Sequence, residues 1–298
     1  MTLSNLNPSA QMDIARDVFD PDHQMPMPFP AALHYAQTVM HWAQDPITQT
    51  DLVALDQAYG EHRLQRFNVF APKQAKNAPV LVFWHGGGWT NGYREYANFM
   101  ARHVTALGFV LVAPSYRLAP NLIADGLEDS LTMLRHVAEH VGQWGGDAQR
   151  LYLSGHSAGG HLSTLTALRC QDRLNGVGRV CGALPISGIM DIHHPAPAVG
   201  SLEERVYTML LADAAHDALF SPMSWTAGNS VPFVLTYGEH DSARVQSSNK
   251  RLAALLEAQG RLVSFHMEQG LDHFQTHTML RDPAHPWYQR LVALAENV

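Results

Sequence analysis

Continuous apolar runs alternate along this chain with segments of helical period. The stretches PVLVFWH (79–85) and GFVLVAPSY (108–116) are apolar at successive positions, as strands are when both faces of a sheet are covered. RLQRFNVFAP (63–72) reads as a first, half-buried strand ended by Pro72, and RLYLSG (150–155), VCGALPIS (180–187), PFVLTYG (232–238) and RLVSFHMEQG (261–270) read as later ones. Between them, Ile123, Leu127, Leu131, Leu134, Ala138 and Val141 recur at spacings of three and four, which predicts an amphipathic helix over 122–143. A helix over 247–259 ends at Gly260, and PWYQRLVALAEN (286–297) predicts a last helix opened by Pro286. The order implies one α/β domain over residues 1–298, with a mostly parallel sheet flanked by helices. Residues 61–298 form its core. Residues 1–60, with a helix expected over 31–44, read as a cap or arm, and residues 190–230 as a second insertion.

Composition narrows the function by exclusion. The net charge is −7 and the 20 Lys and Arg are scattered, so nucleic acid is not expected as a partner. No apolar run approaches the ~18 residues that span a bilayer, and no basic start followed by an apolar stretch marks a signal peptide. The two cysteines, Cys170 and Cys181, show no metal or disulfide spacing. They read as buried thiols of a cytoplasmic protein. The 18 histidines include DIHH (191–194), but abundance alone makes no metal site, and none is expected. A homodimer is left open.

Three segments carry chemistry. In LYLSGHSAGGHL (151–162) a strand runs into Gly155-His156-Ser157-Ala158-Gly159 and then a helical stretch, the setting of a nucleophile elbow. The glycines leave room for a tight turn that exposes the Ser157 hydroxyl. A serine needs a base, and the base an orienting acid. Asp241, just past the strand in PFVLTYGEHDSARV, is the candidate acid, with Glu239 as rival. His273, in the loop after Gly270, is the candidate base. His266 falls within the alternating strand and reads as structural, and His277 and His285 read as surface or helix positions. The third segment, HGGGW (85–89), follows a strand. Backbone N–H groups of Gly87 and Gly88, with that of Ala158, are placed to receive an oxyanion. His85 braces this loop. Trp89, Tyr93, Tyr96 and Phe274 flank the catalytic loops and are candidates for the substrate pocket, joined by Phe29 and Trp42 if residues 1–60 cover the site.

These pieces, with SYRLAP (115–120), YGEHD (237–241) and LDHF (271–274), resemble the α/β-hydrolase superfamily, in the branch of hormone-sensitive-lipase-like esterases and kynurenine formamidases (arylformamidases). GHSAGGHL and SGIMDI (187–192) look like the formamidase side, since the esterases usually carry Asp where His156 stands. Gly88 departs from it, because formamidases usually have an aromatic residue there. The resemblance implies an α/β-hydrolase fold and a cofactor-free serine hydrolase acting on a small aryl amide or ester. The alternatives are a short-chain carboxylesterase and a non-catalytic binder on the same fold.

Overall fold

The computed structural model describes residues 24–296. Its centre is an eight-stranded sheet in the order β1-β2-β4-β3-β5-β6-β7-β8. The strands are β1 (Leu52–Ala58), β2 (Arg66–Phe70), β3 (Ala78–Trp84), β4 (Val110–Pro114), β5 (Gly146–His156), β6 (Val180–Ile186), β7 (Phe233–His240) and β8 (Leu262–Asp272). β2 runs antiparallel to both β1 and β4, and every other pairing is parallel. The sheet is that of the α/β-hydrolase fold.

Period-two alternation divides each central strand between two cores. Val80, Val82 and Trp84 of β3 face one cluster, and Leu81 and Phe83 face the other. Helices α1 (Pro30–Ala43), α2 (Asn98–Ala106) and α6 (Pro286–Glu296) bury Val39, Met100, Val104 and Leu291 on the second side. Helices α3 (Ile123–His140), α4 (Ala158–Arg169) and α5 (Ala243–Ala258) bury Leu127, Leu162 and Leu252 on the first. Both faces are therefore dry, which is why the central strands read as unbroken apolar runs. Each fully buried Leu or Val contributes roughly 1.5–3 kcal/mol.

Two elements differ from expectation. Leu52–Ala58 lies in the stretch read as cap or arm, yet it is the edge strand β1. None of its residues is fully buried, so its sequence carries no apolar alternation. Helix α5 begins four residues before the expected 247, because Ser242 caps it by accepting the Val245 N–H (3.3 Å). It ends as expected, with Gly260 left-handed at φ 64°.

The chain winds outward from β3 to β4 and then crosses back to β5, so the order of winding reverses between the parallel neighbours β3 and β5. In open α/β sheets ligands bind beyond the strand ends at such a switch point. β3 delivers His85–Gly88 to this crevice, and β5 delivers Ser157. Among the described residues no helix is long and apolar enough to cross a membrane.

Candidate active site

Ser157 sits between β5 and α4 with φ 57° and ψ −117°, a left-handed backbone that costs a non-glycine residue about 1–3 kcal/mol. Close approach of the flanking elements enforces it. A Cβ on Gly159 would lie 2.0 Å from the Trp84 carbonyl oxygen, and one on Gly155 would lie 2.5 Å from the Gly159 backbone. The Ser157 N–H donates to Ile186 O (2.9 Å), so the turn stays tied to β6.

The Ser157 hydroxyl, the His273 imidazole and the Asp241 carboxylate lie in line. His273 Nδ1–H donates to Asp241 Oδ1 at 2.5 Å, and this fixes the tautomer. Nε2 is then the accepting nitrogen, and Ser157 Oγ–H donates to it at 2.8 Å. The Asp241 side chain is fully buried. Its second oxygen, Oδ2, accepts from Ser187 Oγ and from the Gly238 N–H, each at 2.7 Å. Burial pushes this carboxyl up, but the hydrogen bonds from His273, Ser187 and Gly238 and the nearby imidazole outweigh it and hold the group below the usual carboxylate range. Glu239 points elsewhere and accepts the Gly270 N–H (2.8 Å). His266 pairs with Ser264 Oγ within β8 (2.9 Å).

The HGGGW loop is held from two sides. His85 stacks on Tyr116 with ring centroids 4.5 Å apart, and its Nδ1–H donates to Gly86 O (2.8 Å). Thr90 and Asn91 N–H both close on Gly87 O, and a Cβ on Gly87 would fall 2.0 Å from the Asn91 oxygen. The loop therefore needs glycine at 87 because it folds on itself. From the other side, Gln24 makes a two-way amide pair with the Gly92 backbone (2.9 Å each), and Asn91 Nδ2 donates to Met25 O. Ala158 opens α4, where first-turn N–H groups have no partner inside the helix.

A family model described as the α/β-hydrolase fold matches residues 81–277, about two thirds of the sequence. The chain belongs to the α/β-hydrolase family. The kynurenine formamidase of Danio rerio is 26% identical over 79% of this chain and 78% of its own length. A probable isoprenylcysteine alpha-carbonyl methylesterase of Arabidopsis thaliana is 22% identical over 76% of this chain, which spans only 51% of that relative. The Pyrobaculum calidifontis esterase superposes with a TM-score of 0.74 over 98% of this chain and 99% of its own, at 18% identity. Family membership gives the chain the fold on which these esterases and formamidases are built.

The cleft over Ser157 is small, about 70 Å³. Gly87, Gly88, Tyr96, Phe274 and His273 line it, as does Leu202 from the 190–230 insertion. The N-terminal segment closes it with Met27, Pro28, Phe29, Ala32 and Tyr35. Tyr35 stacks on Phe274 (5.0 Å, 29°), and Phe29 lies against the same ring at 6.1 Å. Trp89 corrects the expectation. It is 2% exposed, does not line the cleft, and its indole N–H donates to His161 Nδ1 of α4 (3.3 Å). Its backbone, left-handed at φ 59°, ends the glycine run with the ring in the core. Tyr93 lies against Tyr96, outside the lining, and Trp42 packs on Phe99 and Arg281.

Four further side chains support the site. Ser187 and Thr276 brace Asp241 and the His273 loop, and Thr276 Oγ–H donates to His273 O (2.8 Å). His277 corrects its expected surface position: it occupies a helical turn, Gln275–Thr278, but is fully buried, stacked between His156 and Phe83. Burial alone pushes it down to about 3. His156 is also buried, and burial followed by the neighbouring His273 and His277 keeps it far below the ordinary imidazole range. A larger groove of about 590 Å³ lies between α3 and residues 219–229 and contains none of these side chains.

Proposed function

We propose that this protein is a serine hydrolase that cleaves a small aryl amide or ester through an acyl-enzyme, and that its substrate class is that of an arylformamidase. The observation that carries the reading is the chain of hydrogen bonds Ser157–His273–Asp241 at 2.8 and 2.5 Å, at the switch point of the sheet. Ser157 Oγ attacks the carbonyl carbon while His273 Nε2 takes its proton. Asp241 holds the other ring nitrogen and stabilises the imidazolium that forms. The oxyanion meets the N–H groups of Gly87, Gly88 and Ala158. His273 then protonates the leaving amine or phenol, and a water that it deprotonates hydrolyses the acyl-enzyme.

The size and walls of the cleft support the substrate class. A cleft this small, closed over by the N-terminal segment, suits a short acyl group better than a long chain. Tyr35, Phe274 and Phe29 present aromatic faces to a planar leaving group, each worth on the order of 1 kcal/mol beyond burial. The formamidase relative, matched along most of its length, favours the amide. The matched esterases favour a second reading, a short-chain carboxylesterase. Specificity constants across formyl, acetyl, butyryl and octanoyl derivatives of one aryl amine and one phenol separate the two. The account expects the formyl aryl amide to lead and the octanoyl compounds to trail by at least about a hundredfold. Preference for octanoyl esters would overturn it.

A further inference from the structure

We propose that Tyr35 and His156 act together as a positioning pair that sets the orientation of His273 for proton transfer, making the N-terminal helix part of the catalytic apparatus; this rests on the triad reading above. The matched family segment begins at residue 81, so Tyr35 lies outside it.

His156 Nε2 lies 2.7 Å from the backbone oxygen of His273, and a carbonyl oxygen only accepts, so that nitrogen carries the proton. A neutral His156 therefore offers a lone pair at Nδ1. Tyr35 Oη lies 3.5 Å from this atom and 2.7 Å from His277 Nδ1. His277 Nε2 is buried and has no hydrogen-bond partner. A proton there would be an unsatisfied buried donor, so the proton sits on Nδ1 instead. One direction then satisfies every donor: His277 Nδ1–H to Tyr35 Oη, Tyr35 O–H to His156 Nδ1, His156 Nε2–H to His273 O.

The chain ends on the backbone of the residue that must move a proton. His156 is adjacent to Ser157, so the contact ties the nucleophile turn directly to the base loop. The rings reinforce it, with His156 lying 5.0 Å from His273 and stacked 5.1 Å from His277 at 13°. Tyr35 is 5% exposed and wedged between Phe274 and Tyr96. An aspartate at 156 would be acceptor-only when ionised and could not make the bond to His273 O.

The test compares wild type, H156L, H156Q and Y35F by labelling with a fluorophosphonate, separating the maximal labelling rate from the concentration giving half that rate. Glutamine retains a donor near the position of Nε2, whereas leucine removes it. Loss of one positioning hydrogen bond should slow maximal labelling of H156L by about tenfold or more, leaving the half-rate concentration within about threefold. H156Q should recover to within about threefold of wild type. Y35F, which loses one oxygen and keeps its ring, should be slowed by about threefold to tenfold and decides the matter if H156L does not fold. Wild-type maximal rates in H156L and Y35F, or a glutamine as slow as leucine, would overturn the pair while leaving the triad standing. Absence of labelling in wild type would instead remove the triad reading, and this inference with it.

Discussion

Lowering the pH should unfold this protein through its buried histidines. His85 and His161 are pushed down to about 4 and His277 to about 3, in each case chiefly by burial. Each is fully or almost fully enclosed and neutral in the folded state. In the unfolded chain the same imidazoles titrate near 6.5. The folded values are depressed, so their stability is intact above pH 6.5 and is lost as the pH falls toward about 4. Each group costs about 1.4 kcal/mol per pH unit inside that window. Three together remove about 4 kcal/mol by pH 5.5 and about 6 kcal/mol by pH 5. His156, also held low, adds in the same direction. Domains of this kind have roughly 5–15 kcal/mol to lose, so acid unfolding should set in between about pH 5.5 and pH 4. Urea unfolding at pH 7.5, 6.5 and 5.5, followed by the fluorescence of the six tryptophans, measures it. A fall of less than about 1 kcal/mol between pH 7.5 and 5.5, with the urea slope unchanged, would refute the reasoning, because neutral buried imidazoles could not then be present.

Two substitution sets test other parts of the account. Asp241→Asn should lower turnover by about three to four orders of magnitude, and Glu239→Gln, whose amide oxygen can still accept the Gly270 N–H, should change it by less than about threefold, both read as kcat on the preferred substrate. Gly159→Ala should destabilise by more than about 3 kcal/mol in urea unfolding, since its methyl would sit 2.0 Å from the Trp84 carbonyl oxygen; a stability within about 1 kcal/mol of wild type would mean that the turn and β3 are farther apart.

Much of the fold was legible because the sheet is covered on both faces. β3, β4 and β6 are apolar at every buried position. The edge strand β1 was not, because its apolar run is only four residues, Leu52–Leu55, with no alternation beyond it and no residue fully buried. Within the site, Ser157 was legible from its glycines, and the geometry joins it to Asp241 and His273. Trp89 misled because proximity in sequence to a glycine loop says nothing about which way a left-handed residue turns its ring. Tyr35 lies outside every motif, and Ser187 opens SGIMDI without that motif revealing its role. They contact the site across 121 and 54 positions of sequence, through hydrogen bonds that depend on how α1 and β6 pack rather than on any local spacing. His277 has the same origin: a polar residue beside the LDHF motif reads as exposed until the burial by α1 and α2 is known.

The central claim is that Ser157 is the nucleophile, and an adduct map tests it most directly. Wild type, Ser157→Ala and His273→Ala are treated with a fluorophosphonate at neutral pH, digested, and mapped by mass spectrometry. The account predicts one stoichiometric adduct, on Ser157, in wild type. It predicts no adduct in folded Ser157→Ala, and labelling slowed by at least about a thousandfold in His273→Ala. A stoichiometric adduct on any other residue, or full labelling of Ser157→Ala, would contradict it.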